Sequence, residues 1–401
     1  MTARVTTQSQ ISRWAVALMF MANGFVMGVW ATQIPLLLPR HDITKPVVGL
    51  LILGLGIGAV SAMLFSGKLL ARFGSRTMTR GFALALVPVL PMVVFAPSLP
   101  TVAIAMALMG AVAGSMDVGM NANAVAVERT QGRAIMSSSH GFWSLGGFFG
   151  GLGGGPVIAA YGAEMQSLIA AGIVLVLVAI AWPFLVEEPR VVIAPAGLPR
   201  KDVQAASPPL LPRHLGIWVL GILSFLSMVP EGAVLDWSAL YLLNEHGATV
   251  SQSGLAFGLF SGAMAVLRFI GDAVRNRFGA VRTLRVSALI GSGGMFLAAI
   301  APTPELATAG FFLSGIGVAN LIPIIFSAAG NFPGVAAGTA ISTVTMLGYS
   351  GILVAPSAIG FVAQQVGFRP TYIGLAMLML VVAAMAGRAA MADGIRKHDG
   401  H

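Results

Sequence analysis

The 401-residue chain is 57% hydrophobic and 9% charged, with a net charge of +9, 50 glycines and no cysteine. A soluble domain carries roughly a quarter of its residues as charges, so this composition excludes an ordinary globular enzyme and points to a surface that meets the lipid bilayer. The basic residues stand in small groups between apolar stretches, which argues against a nucleic-acid partner, and the lack of cysteine removes disulfides, thiol nucleophiles and thiolate metal sites.

About 20 apolar residues cross a hydrocarbon core about 30 Å thick. Twelve apolar runs satisfy this, near 14–38, 48–70, 80–96, 101–126, 137–161, 166–186, 215–243, 253–270, 283–301, 305–328, 336–362 and 369–388. The first run is too long for a signal-peptide core and has no small-residue cleavage site after it, so it is expected to be a retained helix. With the N-terminus in the cytoplasm, every basic residue except Arg40, Lys45 and Arg369 falls on the inner side, Arg268 and Arg275 among them. Both termini are therefore expected in the cytoplasm.

The longest polar interruption, 187–214, holds Glu187, Glu188, Arg190, Arg200, Lys201, Asp202 and Pro208-Pro209, and divides the spans six and six. It reads as a linker between an N-terminal half, 1–186, and a C-terminal half, 215–401. The halves echo one another. Arg72-Phe73-Gly74 recurs as Arg277-Phe278-Gly279, 205 residues later, and Gly151-x-x-x-Gly155-Pro156 as Gly351-x-x-x-Ala355-Pro356, 200 residues later.

In span four, Asp117, Asn121 and Glu128 share one face, since Asn121 lies about 40° round from Asp117 and Glu128 returns to within about 20°. A carboxylate inside a span costs a few kcal/mol unless it faces protein or water, so Asp117 is the first candidate to carry a proton and Glu128 a further one. The alternatives are an interhelical anchor for Asp117 and, for Glu128, a helix cap or a partner of Arg129 or Arg133. His140, opening span five, suits titration, stacking or a pair with Glu128. Asn23, Trp30 and Gln33 in span one, Asn121, Trp143 and Ser144, and Asn320 in span ten are candidate substrate contacts or interhelical donors. The glycine-rich stretch 146–155 mimics a phosphate loop but lacks the lysine, so close helix packing is expected.

Span seven carries Pro230-Glu231-Gly232, where the helix is expected to bend or break. Glu231 and Asp236 stand about 140° apart, which favours Glu231 as a second proton or substrate group and leaves Asp236 for the outer interface. Trp237 and Tyr241 suit either stacking on a sugar or the interfacial aromatic belt.

A doubled six-plus-six chain of this kind resembles the major facilitator superfamily of secondary transporters, along essentially its whole length. The likeness is carried by the glycine-rich basic turn Gly67-Lys68-Leu69-Leu70-Ala71-Arg72-Phe73-Gly74-Ser75-Arg76, in which Ala71 replaces the family's usual aspartate. The later turn, Gly271-Asp272 through Arg277-Phe278-Gly279, keeps its acid. The resemblance implies an all-α membrane protein of twelve spans in two pseudo-symmetric halves. It also implies a gate in which Gly67, Arg72, Gly74, Arg76, Asp272 and Arg277 clip helix ends in one transport state. Gly114-Ser115-Met116-Asp117-x-x-x-Asn121 is similar to span four of the fucose–proton symporters, which implies that Asp117 is the proton-linked carboxylate and Asn121 a substrate contact.

No catalytic triad, nucleotide loop or metal cluster is visible, so no enzyme, cofactor or metal is expected. The expected partners are a small-molecule substrate, protons and lipid, and the expected assembly is a monomer in a bacterial inner membrane. The expected function is proton-driven import of a small polar, sugar-like solute by alternating access. A proton-coupled efflux antiporter and a non-transporting membrane sensor are the alternatives.

Overall fold

Lipid offers no partner for a backbone N–H or C=O, so a chain of this composition must satisfy its backbone within helices. The computed structural model describes residues 2–187, 210–248 and 250–396, and no strand occurs among the described residues. Most of the expected linker lies outside them, with Glu188, Arg190, Arg200, Lys201 and Asp202. Lys397 and the side chains of Arg4, Lys45 and Arg396 also lie outside what the structure describes.

Ten helices are long and apolar enough to cross a membrane, and two of these, Val47–Val94 and Met136–Phe184, run to 48 and 49 residues. At 1.5 Å per residue each would be about 72 Å long, more than twice the hydrocarbon thickness. Each is turned by a glycine: Gly74 at φ 78°, ψ 162° separates spans two and three, and Gly162 at φ 85°, ψ 166° separates five and six. Gly279 and Gly367 adopt the same conformation between spans eight and nine and between eleven and twelve. Only glycine enters that region readily, because a Cβ would clash with the backbone. Ten apolar helices thus make twelve spans. Gly162 and Gly367 are 205 residues apart, the spacing that also separates Gly74 and Gly279, so two corners of the repeat share one offset.

The first span is the helix Thr2–Gln33, span four is Leu99–Gln131, span seven Leu215–His246, span eight Val250–Phe278 and span nine Ala280–Ile300. Spans eleven and twelve are Ala337–Val366 and Phe368–Met385, followed by a 3-10 segment, Ala386–Arg396. The expectation of a break in span seven is corrected. Span seven continues through Pro230 as an unbroken helix, with only the Leu226 carbonyl deprived of its usual donor. Span ten is the broken one, as Pro304–Val318 and Leu321–Gly330 separated by a turn at Ala319-Asn320. Pro323 explains this: it offers no N–H to the Ala319 carbonyl four residues back, and its ring crowds that turn.

The surface is inverted relative to a soluble protein. Leu50, Ile104, Leu152, Val266 and Phe361 are exposed, while Ser115, Asn121, Asn123, Ser224 and Ser314 are buried. The chain forms two compact units. One gathers Met1–Ile135, Ser139–Arg213 and Gly334–Thr343; the other gathers Met136–Ser138, His214–Pro333 and Val344–His401.

Candidate functional site

In the first unit the polar side chains are placed by small residues that let backbones approach. A Cβ on Gly24 or Gly28 would lie 2.0 or 2.1 Å from the carbonyl oxygen of Trp143 or Gly147, so spans one and five touch through their main chains. This is the helix packing that the glycine-rich stretch 146–155 suggested. It sets Asn23 against Trp143, whose indole Nε1 donates to Asn23 Oδ1 at 3.0 Å, while Asn23 Nδ2 donates to the Ala113 carbonyl of span four at 3.1 Å. Asn23 therefore joins three spans. Trp30, two turns further along span one, is also buried.

Span four is buried on every side from Gly114 to Glu128, so its polar residues lie within a packed cylinder rather than on one stripe. Asp117 is 3% exposed. One turn later Asn121 Nδ2 donates to the Asp117 backbone carbonyl at 2.9 Å, and Asn121 Oδ1 meets His140 Nε2 at 3.2 Å. The His140 ring packs edge-on against Phe20, with centroids 5.0 Å apart. Spans one, four and five thus bring together a buried carboxylate, carboxamide and imidazole with the half-buried indole of Trp143. Glu128, fully buried at the end of span four, accepts the Ile135 N–H at 3.0 Å and so closes the turn that leads into span five.

Ser144 donates to the His140 carbonyl of its own helix at 3.2 Å. Gln33 Nε2 donates to the Ala163 carbonyl at 3.0 Å and to Gln166, which in turn donates to Thr32 Oγ1 at 2.8 Å. That network ties the end of span one to the start of span six. Asn123 makes a similar tie, donating to Ser75 Oγ at 2.9 Å and to the Val186 carbonyl at 2.8 Å.

In the second unit Glu231 of span seven lies 3.6 Å from Arg268 of span eight, the two side chains 24% and 5% exposed. Arg268 thus corrects the charge reading. It is not a topology residue in a loop but a buried cation ten residues before the helix ends at Phe278. Arg275 is buried as well, donating to Ser327 Oγ at 2.7 Å and to the Ala392 carbonyl of the C-terminal segment. Asp236 is exposed, on another side of span seven from Glu231.

Trp237 packs against span eleven, where a Cβ on Gly360 would lie 2.6 Å from its ring, and its ring centroid is 5.8 Å from that of Phe368. Tyr241 is buried and donates to the Ala298 carbonyl at 2.8 Å. Asn320 stands in the break of span ten, buried, with its amide against Gly271: a Cβ there would lie 1.8 Å from Asn320 Oδ1.

The corner residues form a third group. Within the second unit, Asp272 receives the backbone N–H groups of Ser137 and Ser138, each at 2.9 Å, at the first turn of the helix that begins at Met136. A carboxylate there meets both the free amides and the positive end of the helix dipole. Within the first unit, Gly67 faces the start of span eleven, where a Cβ would lie 2.7 Å from Ser342 Oγ. Arg72 and Arg277 lie over the rings of Phe73 and Phe278, at 5.2 and 5.6 Å. Arg76 pairs with Glu187 at 2.6 Å, and Asp393 accepts the Ala280 N–H at 2.8 Å, at the start of span nine.

A family model described as Major Facilitator Superfamily matches residues 16–242 and 220–395. The chain belongs to the Major Facilitator Superfamily. An uncharacterised transporter of this superfamily from Yersinia pestis is 35% identical over 371 residues, covering 92% of this chain and 93% of its own. The membrane protein MosC of Rhizobium meliloti is 33% identical over 372 residues, covering 92% of this chain and 86% of its own. Among solved structures, the fucose:proton symporter of E. coli superposes with a TM-score of 0.75 at 16% identity, over 95% of this chain and 99% of that one. At that identity the likeness shows the superfamily fold, twelve spans in two pseudo-symmetric halves.

Against this fold, the residues that the sequence reading missed as site candidates are Arg268 and Pro323. Arg268 lies inside the apolar window Ala256–Phe278, and an arginine inside such a window was the available signal. Pro323 stands within the apolar run of span ten and marks the break that the reading placed in span seven.

Proposed function

We propose that this transporter carries a small polar, sugar-like solute inward together with a proton, by alternating access of its two halves, 1–186 and 215–401, joined by 187–214. The reading places it as a monomer in a bacterial inner membrane with both termini in the cytoplasm. The observation that carries the proposal is the buried Asp117 of span four, one turn from an Asn121 amide that reaches His140.

In this reading Asp117 takes up the coupling proton, which a carboxylate in a buried site of this kind is suited to do. In the first unit Asn121, Asn23, Trp30, Trp143 and His140 are the candidate solute-handling residues; in the second, taken by itself, they are Glu231, Trp237 and Asn320. Gln33 ties the end of span one to the start of span six, and Ser144 is bonded within its own helix. Protonation of Asp117 favours the loaded state, and loss of the proton on the inner side resets the carrier. Asp272 holds the start of span five in one state and lets it go in the other, with Gly67, Arg72, Gly74, Arg76 and Arg277 shaping the two corners.

The test is uptake into proteoliposomes containing Asp117→Asn. Asparagine preserves shape but cannot release a proton, so solute exchange between the two sides should persist while accumulation driven by a pH gradient is lost. Retained acid-driven accumulation overturns the assignment of Asp117. Extrusion driven by the gradient replaces import with antiport, and absence of exchange with every solute in a broad panel leaves a sensor.

A further inference from the structure

The Glu231–Arg268 contact has features that a purely structural ion pair lacks. An arginine stays protonated in proteins, and one that is 5% exposed within an apolar span needs an anion beside it at every stage. A pair serving only to hold two helices together gains most when both partners are buried and hydrogen-bonded at about 2.7–2.9 Å. Here the closest approach is 3.6 Å, and the glutamate is 24% exposed. The cation is buried, while its anion stands 3.6 Å away and is partly exposed.

We infer that Arg268 is the receptor for a carboxylate on the transported solute, which displaces Glu231 as Glu231 takes up a proton. This rests on the carrier reading above and narrows its solute to a sugar-like acid. The charges balance. In the empty site one glutamate anion neutralises one guanidinium; in the loaded site the glutamate holds a proton from solution and the solute carboxylate neutralises the guanidinium. Either event alone is costly, because protonation of Glu231 withdraws a negative charge from beside the buried Arg268 and a bound carboxylate beside an ionised Glu231 crowds two negative charges. Each therefore favours the other, and the coupling is reciprocal.

Span seven packs against spans eight, ten, eleven and twelve and the segment Ala386–Arg396, of which span eleven carries no charged residue and the segment carries Arg388 and Asp393. The charged groups these elements bring, among the described residues, are few. Span seven itself adds the exposed Asp236 and, near its end, Glu245, which is paired with Arg369 of span twelve. Span eight adds Asp272, Arg275 and Arg277, and span ten only Glu305 in its first turn. Arg268 is the cation that the structure sets against Glu231.

The experiment measures binding to the full-length protein by thermal shift, with D-gluconate and D-glucuronate against neutral D-glucose, at about pH 5.5 and about pH 7.5. Both acids should stabilise the native protein more at the lower pH, and by a larger margin than glucose, whose binding follows Asp117 alone. Glu231→Gln imitates the protonated state and should bind the acids on the order of tenfold more tightly at the higher pH, with the pH dependence of the acids reduced to that of glucose. Because Arg268→Gln alone strands a glutamate, the double variant Glu231→Gln/Arg268→Gln removes both charges together; it should melt near the native temperature and lose the preference for acid over glucose. The inference is overturned if neither acid binds the native protein or Glu231→Gln, or if the double variant still prefers the acids. Counterflow on the same samples separates the two readings: exchange of glucose without preference for acids retains the carrier and removes the carboxylate receptor, whereas no exchange of any solute removes the carrier.

Discussion

His140 Nε2 lies 3.2 Å from Asn121 Oδ1, and this bond joins span five to span four at the level of Asp117. The other end of the Asn121 amide donates to the Asp117 carbonyl, which fixes the orientation of the carboxamide and leaves its oxygen to accept. The imidazole must therefore carry its hydrogen on Nε2 when neutral. One bond sets the tautomer of the histidine and the position of the amide beside the carboxylate.

His140→Leu should leave the Asn121 oxygen buried without its donor, at a cost of about 1–3 kcal/mol. His140→Gln restores an N–H and should recover most of that loss. Thermal melting in detergent measures both. His140→Gln is expected to keep the acid stimulation of uptake that Asp117→Asn removes, because the histidine acts here as a positioned donor.

Gly271→Ala should destabilise the second unit, since the new methyl would sit 1.8 Å from Asn320 Oδ1. Overpacking of this kind costs about 1–3 kcal/mol. Asn320→Ala removes the obstructing amide, so the double variant Gly271→Ala/Asn320→Ala should be more stable than the two single losses add up to. A double-mutant cycle by denaturant melting checks the pair.

Asp272→Ala removes a charged acceptor from two amides at the start of span five, each bond being of the class worth about 1.5–3 kcal/mol. Asp272→Asn keeps one acceptor oxygen and should lose less. Hydrogen exchange reads the effect directly: the amides of Ser137 and Ser138 should exchange faster in Asp272→Ala than in the native protein, and at an intermediate rate in Asp272→Asn.

The fold was legible because its signals are chemical and local. Apolar run length reports spans, and the Arg-Phe-Gly echo reports the doubling. The glycines at the corners were equally visible as residues, but that Gly162 and Gly367 are counterparts emerges only from their shared backbone conformation. Glycine is too frequent in this chain, at 50 residues, for its position alone to mark a corner.

The site was legible in part. Asp117, Asn121 and Glu128 stood out because polar side chains are costly in a span, and the structure buries all three. It was not foreseeable that His140 would meet Asn121, or that Gln33 would be tied to Gln166, because these contacts join residues far apart in sequence. The broken helix was assigned to Pro230 because Pro-Glu-Gly has polar and flexible neighbours. Pro323, in a wholly apolar context, is where the helix gives way.

By itself the sequence determined that this protein lies in lipid, spans it twelve times, repeats its own half and carries few acids within the spans. These follow from transfer free energies and periodicity, which depend on each segment alone. Tertiary structure decided which charge meets which. Arg268, counted with the topology residues when read along the chain, is the partner of Glu231, 37 residues before it. An ion pair depends on the distance between two side chains, and that distance exists only once spans seven and eight have packed.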